Sequence, residues 1–220
     1  MLFRLKKKAV TRSRYLSFLF LSALALSSVV AGEDRISTSF RPSEPGYVKG
    51  TREIEVFGGA FTSVNDATRK RPQFSFALTS IREGWMLNDV RSGFFFGNEE
   101  FLIDVFAGPI LKGPGSVMTG ATFILRHNFV TAPGGFFVPY YQMGVGGLYS
   151  DAANADQVQF GMGSTLEFNL QATLGARWRV NRSWSINTEM GYRHISNAGF
   201  DSRNGGVDAV GGFIGLGHMF

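Results

Sequence analysis

A strict alternation of apolar and polar residues over residues 166–180 limits the fold more than any other feature of the sequence. Side chains that alternate with a period of two lie on opposite faces of a β-strand. One face of this segment is wholly apolar and the other is mostly polar: Leu166, Phe168, Leu170, Ala172, Leu174, Ala176, Trp178 and Val180 against Glu167, Asn169, Gln171, Thr173, Gly175, Arg177 and Arg179. Residues 184–193 repeat the pattern after the short connection Asn181-Arg182, which predicts a hairpin of two long strands.

The length of these strands favours a membrane protein. Strands of soluble proteins usually have about five or six residues, whereas about ten residues suit a tilted strand that crosses a bilayer. Six further segments have strand character: residues 52–62, 72–82, 100–110, 118–128, 136–148 and 207–220. Eight strands are the smallest even number in outer-membrane barrels. We therefore predict an all-β fold, an eight-stranded antiparallel transmembrane β-barrel of the bacterial outer membrane.

The composition agrees with this fold, because the chain contains 28 Gly, 22 Phe and 14% aromatic residues. Glycine disfavours helices, and aromatic residues favour strands. The interior of an eight-stranded barrel is just wide enough to be filled by side chains. We expect the inward-facing charged residues to form a paired polar core, comprising Glu167, Arg177, Arg179, Glu189 and Arg193. The Met, Trp and Phe residues of the strands are expected to face lipid and to form an aromatic girdle.

Residues 1–31 have the three parts of a secretory signal peptide. A basic segment precedes an apolar run, which ends in the small-residue sequence Val29-Val30-Ala31-Gly32. An uncleaved anchor helix is the alternative, but serines interrupt the run and a cleavage-like site closes it. We expect cleavage after Ala31, an N-terminal segment over residues 32–51 and the barrel over residues 52–220.

The basic character of the chain resides in this leader. The sequence has 22 Lys and Arg against 17 Asp and Glu, but six of the basic residues and none of the acidic ones lie in residues 1–31. The remainder is close to neutral, so charge gives no reason to expect nucleic acid as a partner. The chain has no cysteine and cannot be held by disulfide bonds.

The last predicted strand ends at Phe220. A terminal phenylalanine on an alternating strand resembles the C-terminal signal for assembly of bacterial outer-membrane proteins, which makes the assembly machinery an expected partner. With both termini in the periplasm, the external loops would be residues 63–71, 111–117, 149–163 and 195–206. Residues 83–99 would form an internal turn that is long for its side.

The candidate catalytic residues lie where the seventh predicted strand ends and the eighth begins. His194 and Ser196 are two residues apart, so both project from the lipid-facing side of the strand. Asp208 has the lipid-facing parity of the eighth strand, so the three side chains can converge on the barrel exterior. Acyl transfer by serine needs an imidazole to take the hydroxyl proton and a carboxylate to orient the imidazole. Asn197 or the backbone N–H of Gly199 could stabilise the oxyanion.

The sequence His194-Ile195-Ser196-Asn197-Ala198-Gly199, followed by Asn204-Gly205-Gly206-Val207-Asp208, resembles the signature of the lipid A 3-O-deacylases of the PagL type. The resemblance implies an outer-membrane enzyme that hydrolyses the ester-linked 3-hydroxyacyl chain at position 3 of lipid A, without a metal or other cofactor. It also implies roles for five residues, with Ser196 as the nucleophile, His194 as the base, Asp208 as the acid, and Asn197 and Gly199 as oxyanion contributors.

One residue departs from the family pattern. The characterised acid of the family is glutamate, and Asp208 is shorter by one methylene group. Asp201 in the adjoining loop is a second candidate acid, although it does not align. His127 and His218 are single histidines at strand ends and are expected to be structural or interfacial. No cluster of His, Cys and Asp has the spacing of metal ligands.

Functions of two different classes remain open from the sequence. A lipid A deacylase would act on lipopolysaccharide, with outer-membrane lipid around it and its active site toward the outer leaflet. A non-catalytic barrel with a structural or surface-binding role would explain the leader, the strands and the terminal phenylalanine. A soluble lipocalin-like barrel is a more distant interpretation. Whether the barrel acts alone or as a homodimer is also open.

Overall fold

The computed structural model describes residues 46–64, 73–130, 135–154 and 162–220. Within these ranges the chain forms a closed antiparallel barrel of eight strands in sequence order, in which the last strand pairs with the first. The strands are β1 (Arg52–Ser63), β2 (Ser75–Met86), β3 (Asn98–Lys112), β4 (Val117–Asn128), β5 (Phe137–Ser150), β6 (Leu166–Arg179), β7 (Trp184–Ser196) and β8 (Val207–Met219). The predicted fold class is confirmed. The predicted signal peptide and residues 32–45 lie outside the described residues.

The connections between strands define two ends of the barrel. The terminal end holds the start of β1 and the end of β8, and the opposite end is called the loop end here. The expected internal turn over residues 83–99 is shorter in the structure, because β2 continues to Met86 and β3 begins at Asn98. A bridge between Arg91 and Gly97 braces this connection. In the described ranges no helix has the length and apolar character needed to cross a membrane.

The exterior of the barrel is apolar. Large apolar side chains are exposed on the outer faces of the strands, among them Ile81, Val105, Phe123, Leu125, Met143, Val145, Leu174, Met190 and Ile214. A contiguous surface of this kind is costly in water and suits contact with lipid. Aromatic rings gather at the terminal end, where Trp178 packs on Phe137 with ring centroids 4.6 Å apart. The terminal end therefore carries an aromatic girdle.

A network of ion pairs occupies part of the interior. We call its nine buried residues, linked by contacts of up to 3.9 Å, the ionic cluster: Arg82, Arg126, Arg177, Arg193, Glu53, Glu55, Glu100, Asp104 and Glu189. The predicted polar core thus includes Arg177, Glu189 and Arg193. Glu167 and Arg179 also point inward, but Glu167 accepts hydrogen bonds from backbone N–H groups of the preceding loop and Arg179 donates to a backbone carbonyl.

The expectation that the strand phenylalanines face lipid is wrong for six of them. These six fill the interior toward the loop end: Phe57, Phe61, Phe74, Phe76, Phe106 and Phe213. Glycines make room for their rings, because a Cβ at Gly59 would lie 2.5 Å from the ring of Phe213. A barrel of this size must be filled by side chains, and here aromatic rings beside glycines occupy this part of the interior. The interior therefore combines an apolar core toward the loop end with the ionic cluster and further buried polar residues.

Tyr47 closes the interior at the terminal end. Its side chain is buried in a small apolar cluster with Met86, Val138 and Met219. Its hydroxyl accepts a hydrogen bond of 3.2 Å from the guanidinium of Arg177, a member of the ionic cluster. The end of the predicted N-terminal segment is thereby attached to the barrel.

Candidate active site

The predicted catalytic residues lie at the loop end, where β7 ends and β8 begins. Ile195 and Val207 point into the interior and are 0% and 5% exposed. Strand alternation therefore turns His194, Ser196 and Asp208 to the exterior. His194 and Asp208 are direct cross-strand partners, which places their Cβ atoms about 5 Å apart. The structure brings all three residues together on the outer face of the barrel.

A chain of hydrogen bonds joins the three side chains. His194 Nδ1 lies 2.7 Å from Asp208 Oδ1, and His194 Nε2 lies 3.1 Å from Ser196 Oγ. When Nδ1 carries the proton, His194 donates to Asp208 and its Nε2 can accept the proton of the Ser196 hydroxyl. The side chains of His194 and Asp208 are 35% and 46% exposed. The arrangement has the geometry that activates a serine, and it is accessible from outside the barrel.

The carboxylate of Asp208 has a second donor, the hydroxyl of Tyr192, at 2.5 Å. Alternation predicted only that Tyr192 faces lipid. The signal that could have identified it is its parity with His194 and Ser196 on one strand. The carboxylate of Asp208 reaches His194, although aspartate is one methylene group shorter than glutamate, because the two residues are directly opposite one another on β7 and β8.

A tight turn follows Ser196. The backbone N–H of Phe200 donates to the carbonyl of Asn197 at 3.0 Å, and the residues between them, Ala198 and Gly199, have φ angles of 53° and 86°. Positive φ at both central positions is typical of a type I′ turn. Glycine adopts this conformation freely, whereas alanine does so at a cost of about 1–2 kcal/mol. A strained residue held beside a candidate nucleophile is consistent with a functional constraint.

Asn197 fixes this turn. Its side chain is 2% exposed, its Oδ1 accepts the N–H of Gly199 at 3.0 Å, and its Nδ2 donates to the carbonyl of Arg203 at 2.8 Å. The two predicted oxyanion contributors therefore lie one and three residues after Ser196 and are hydrogen-bonded to one another. The N–H of Gly199 would have to turn from its present acceptor to reach a substrate oxygen, whereas Nδ2 of Asn197 has a second hydrogen besides the one donated to Arg203.

Asp201, the second candidate acid, is bonded within its own loop. Its carboxylate accepts the backbone N–H of Arg203 at 2.9 Å and the hydroxyl of Ser202 at 3.3 Å. The Arg203 hydrogen bond, as the main cause, holds the pKa of Asp201 below its ordinary value. Asp208 is the acid that is bonded to His194.

Apolar side chains flank the site on β6. Phe168 and Leu170 are the cross-strand partners of Ser196 and His194, and both are more than 40% exposed on the outer face. Phe200, which is 85% exposed, extends this surface, with its ring centroid 6.0 Å from that of Phe168. The surface beside Ser196 can therefore accommodate a hydrocarbon chain.

We expect Gly206→Ala to lower the activity of this site by about 10-fold or more. Gly206 has a φ of 67°, and a Cβ there would lie 3.2 Å from Cε1 of His194. The imidazole must then shift by a few tenths of an ångström, and small displacements of catalytic groups are costly in rate. Gly93→Ala is the matched control, since Gly93 also has positive φ, at 104°, but its Cβ would meet nothing within 4 Å. Equal loss of activity in both variants would contradict the contact with His194.

The other two histidines lie at the terminal end. His127 Nε2 is 3.1 Å from the carbonyl of Phe96, and its ring stacks on that of Tyr141. The ring of His218 packs against Trp184 with centroids 4.5 Å apart. Among the residues that the structure describes, no group of three or more His, Asp or Glu side chains is arranged to hold a metal ion.

Comparison with known proteins identifies the family. The profile of the lipid A 3-O-deacylase (PagL) family matches residues 93–216, a range that contains His194, Ser196 and Asp208. The crystal structure of the outer membrane enzyme PagL is similar with a TM-score of 0.53 and 16% identity, covering 74% of this chain and 97% of that one. The crystal structure of Neisserial surface protein A (NspA) is similar with a TM-score of 0.53 and 15% identity, covering 78% of this chain and 100% of that one. No curated protein matches the chain.

The two kinds of similarity establish different things. At 15–16% identity the solved structures establish the fold, an outer-membrane barrel, in agreement with the apolar exterior. The profile covers more than half of the 220 residues, from the connection before β3 into β8. The protein is therefore a barrel of the bacterial outer membrane, and it belongs to the lipid A 3-O-deacylase (PagL) family.

Proposed function

We propose that this barrel hydrolyses the ester linking a 3-hydroxyacyl chain to position 3 of lipid A, with Ser196 as the nucleophile. The observation that carries the proposal is the hydrogen-bond chain from Asp208 through His194 to Ser196 on the outer face of the barrel. Polar side chains on that face are costly unless they lie at the interface or meet a polar ligand. An ester between a sugar and an acyl chain is a ligand of this kind.

The loop end faces the cell exterior in this proposal, with both termini in the periplasm. The site then lies at the outer leaflet, where lipopolysaccharide is found. The acyl chain would lie along the exposed side chains of Phe168 and Leu170, which are beside Ser196 and His194. Hydrocarbon contact along the outer face of the strands and polar groups at the end of β7 suit a glycolipid whose ester lies between them.

The first chemical step forms an acyl-enzyme. Ser196 Oγ attacks the ester carbonyl carbon while His194 Nε2 takes the hydroxyl proton, and Asp208 stabilises the resulting imidazolium. The tetrahedral intermediate collapses with cleavage of the carbon–oxygen bond to the sugar. The sugar oxygen leaves with the proton returned by His194.

The second step regenerates the serine. A water molecule gives a proton to His194 Nε2 and attacks the acyl carbonyl carbon, and the bond to Ser196 Oγ breaks as His194 returns the proton to Oγ. The products are a 3-hydroxy fatty acid and lipid A with a free hydroxyl at position 3. Water is the co-reactant, and the balance needs no electron acceptor.

The oxyanion would be stabilised by groups of the turn after Ser196. Asn197 and the backbone N–H of Gly199 are the predicted contributors, and in the structure both Nδ2 of Asn197 and the N–H of Gly199 are bonded within the loop. Catalytic hydrogen bonds of a free enzyme often form fully only with substrate bound. A hydrogen-bond donor directed at the developing negative charge typically stabilises the transition state by about 3–4 kcal/mol.

The test is the mass of lipid A from Gram-negative cells that express this chain, compared with cells carrying the empty vector. We expect the loss of one 3-hydroxyacyl group, placed at position 3 by fragmentation, and release of the free 3-hydroxy fatty acid. Unchanged lipid A beside a heat-modifiable barrel in the outer membrane would favour the non-catalytic alternative. Loss of a chain from another position would keep the hydrolase and reject the proposed bond.

A further inference from the structure

We infer that Tyr192 is a positioning residue of this site, whose hydroxyl holds the carboxylate of Asp208 beside His194. The inference rests on the proposed function and adds a residue to it. Tyr192 precedes His194 by two positions on β7, so its side chain projects from the same outer face of the barrel. Its hydroxyl lies 2.5 Å from Asp208 Oδ1, the oxygen that also faces His194 Nδ1 at 2.7 Å.

The register of β7 and β8 explains how the tyrosine reaches this oxygen. Asp208 is directly opposite His194, and Tyr192 is opposite Val210. Tyr192 and Asp208 are therefore diagonal neighbours across the strand pair, with an expected separation of about 7 Å between their backbones. A tyrosine is long enough to span that gap, whereas a serine or threonine hydroxyl is too short.

Asp208 needs a second partner because it is partly open to its surroundings. Its side chain is 46% exposed, and exposed ion pairs contribute little toward holding either side chain in place. A hydroxyl that donates to a carboxylate forms a short and comparatively strong hydrogen bond. Tyrosine has only two side-chain torsions, so the contact orders few degrees of freedom. Two donors on one oxygen keep the aspartate directed at His194.

A different role for Tyr192 makes a different prediction. A tyrosine near the rim of a barrel can serve as an interfacial anchor, with its hydroxyl directed to water and lipid headgroups. The hydroxyl of Tyr192 instead meets the acid of the triad. An anchor would leave the contact between Asp208 and His194 unchanged when its hydroxyl is removed, whereas a positioning residue would not.

The test removes only the hydroxyl, in Tyr192→Phe. We expect kcat to fall by about 10-fold with KM unchanged, because a misplaced acid impairs the base without altering lipid contacts. Tyr149→Phe is the matched control, since Tyr149 is also an exposed tyrosine on the outer face near the loop end, on β5. In the Asp208→Ala background, Tyr192→Phe should have no further effect on the residual rate. Additive losses would overturn the inference.

A second measurement does not depend on catalysis. The chain has three histidines, so the Nδ1 proton of His194 can be assigned by comparison with a His194→Gln variant in detergent micelles. We expect Tyr192→Phe to move this resonance upfield, toward its position in Asp208→Ala, while Tyr149→Phe leaves it in place. An unmoved resonance in Tyr192→Phe would overturn the inference. Failure of the unaltered chain to hydrolyse lipid A would reject the proposed function, and the resonance would still decide the role of Tyr192.

Discussion

Ser196→Ala is expected to lower the hydrolysis of lipid A by at least about 10³-fold while leaving the barrel folded. The hydroxyl is placed to attack a carbonyl carbon with its proton directed at His194 Nε2, 3.1 Å away. Without it, a water molecule would have to attack directly from the same position. The barrel should not be destabilised, because Ser196 lies on the outer face at the end of β7 and its removal leaves no buried polar group.

The rate should be measured with purified, refolded protein in detergent, since release of the fatty acid can then be followed directly. Ser202→Ala is the matched control, because Ser202 is an exposed serine of the same loop that is bonded to Asp201 rather than to His194. An organophosphonate probe that reacts with activated serines should label the unaltered chain and Ser202→Ala, but not Ser196→Ala. Labelling that persists in Ser196→Ala, or a retained rate, would mean that another residue is the nucleophile.

The position of this site follows from the sequence to an unusual extent. Period-two alternation places His194, Ser196 and Asp208 on the same faces as the apolar residues of β7 and β8. An apolar face usually meets lipid in such barrels, and this second rule turns the three residues outward. The pairing of His194 with Asp208 could not be derived in this way. A register shift of two residues would preserve every parity and move Asp208 by about 7 Å along the strand. The loop between β7 and β8 sets the register, and its conformation depends on contacts such as those of Asn197.

The interior was less predictable for a related reason. Alternation separates two faces of a strand but does not say which of them points inward. In β2 the apolar set that includes Phe76 and Leu78 points inward, and so does Phe74 just before the strand, although an apolar face usually meets lipid in such barrels. The choice depends on partners from other strands, such as Phe61, which stacks on Phe76. Other contacts, such as that of Arg82 on β2 with Glu189 on β7, join strands that are not neighbours, and inspection of one strand cannot reveal them.

Arg126→Met is expected to lower the free energy of unfolding by about 3–5 kcal/mol, because it removes a buried arginine from the ionic cluster. The guanidinium donates to both oxygens of Glu55, at 3.0 and 2.7 Å, and to Glu100 at 3.3 Å. It also lies 4.3 Å over the ring of Tyr140. All of these atoms are buried, so water cannot replace the hydrogen bonds that Glu55 and Glu100 lose with Arg126.

Removal of an exposed arginine should have a much smaller effect. Arg91→Met breaks the ion pair between Arg91 and Glu99, whose side chains are 57% and 36% exposed respectively. Exposed ion pairs usually contribute less than about 1 kcal/mol to the free energy of unfolding. Urea unfolding of both variants in lipid vesicles, followed by tryptophan fluorescence, compares the two sites directly. Equal shifts of the midpoint would mean that the cluster is not the source of stability.

Stability and catalysis should separate in the Arg126 variant. Arg126 bonds to Glu55, Glu100 and Gln142 inside the barrel, whereas the proposed catalytic residues lie on the outer face. The fraction of Arg126→Met that folds should therefore hydrolyse lipid A with unchanged kcat, although less of the protein folds. A lower kcat in the folded fraction would mean that the ionic cluster also sets the register of β7 and β8, and with it the distance between His194 and Asp208.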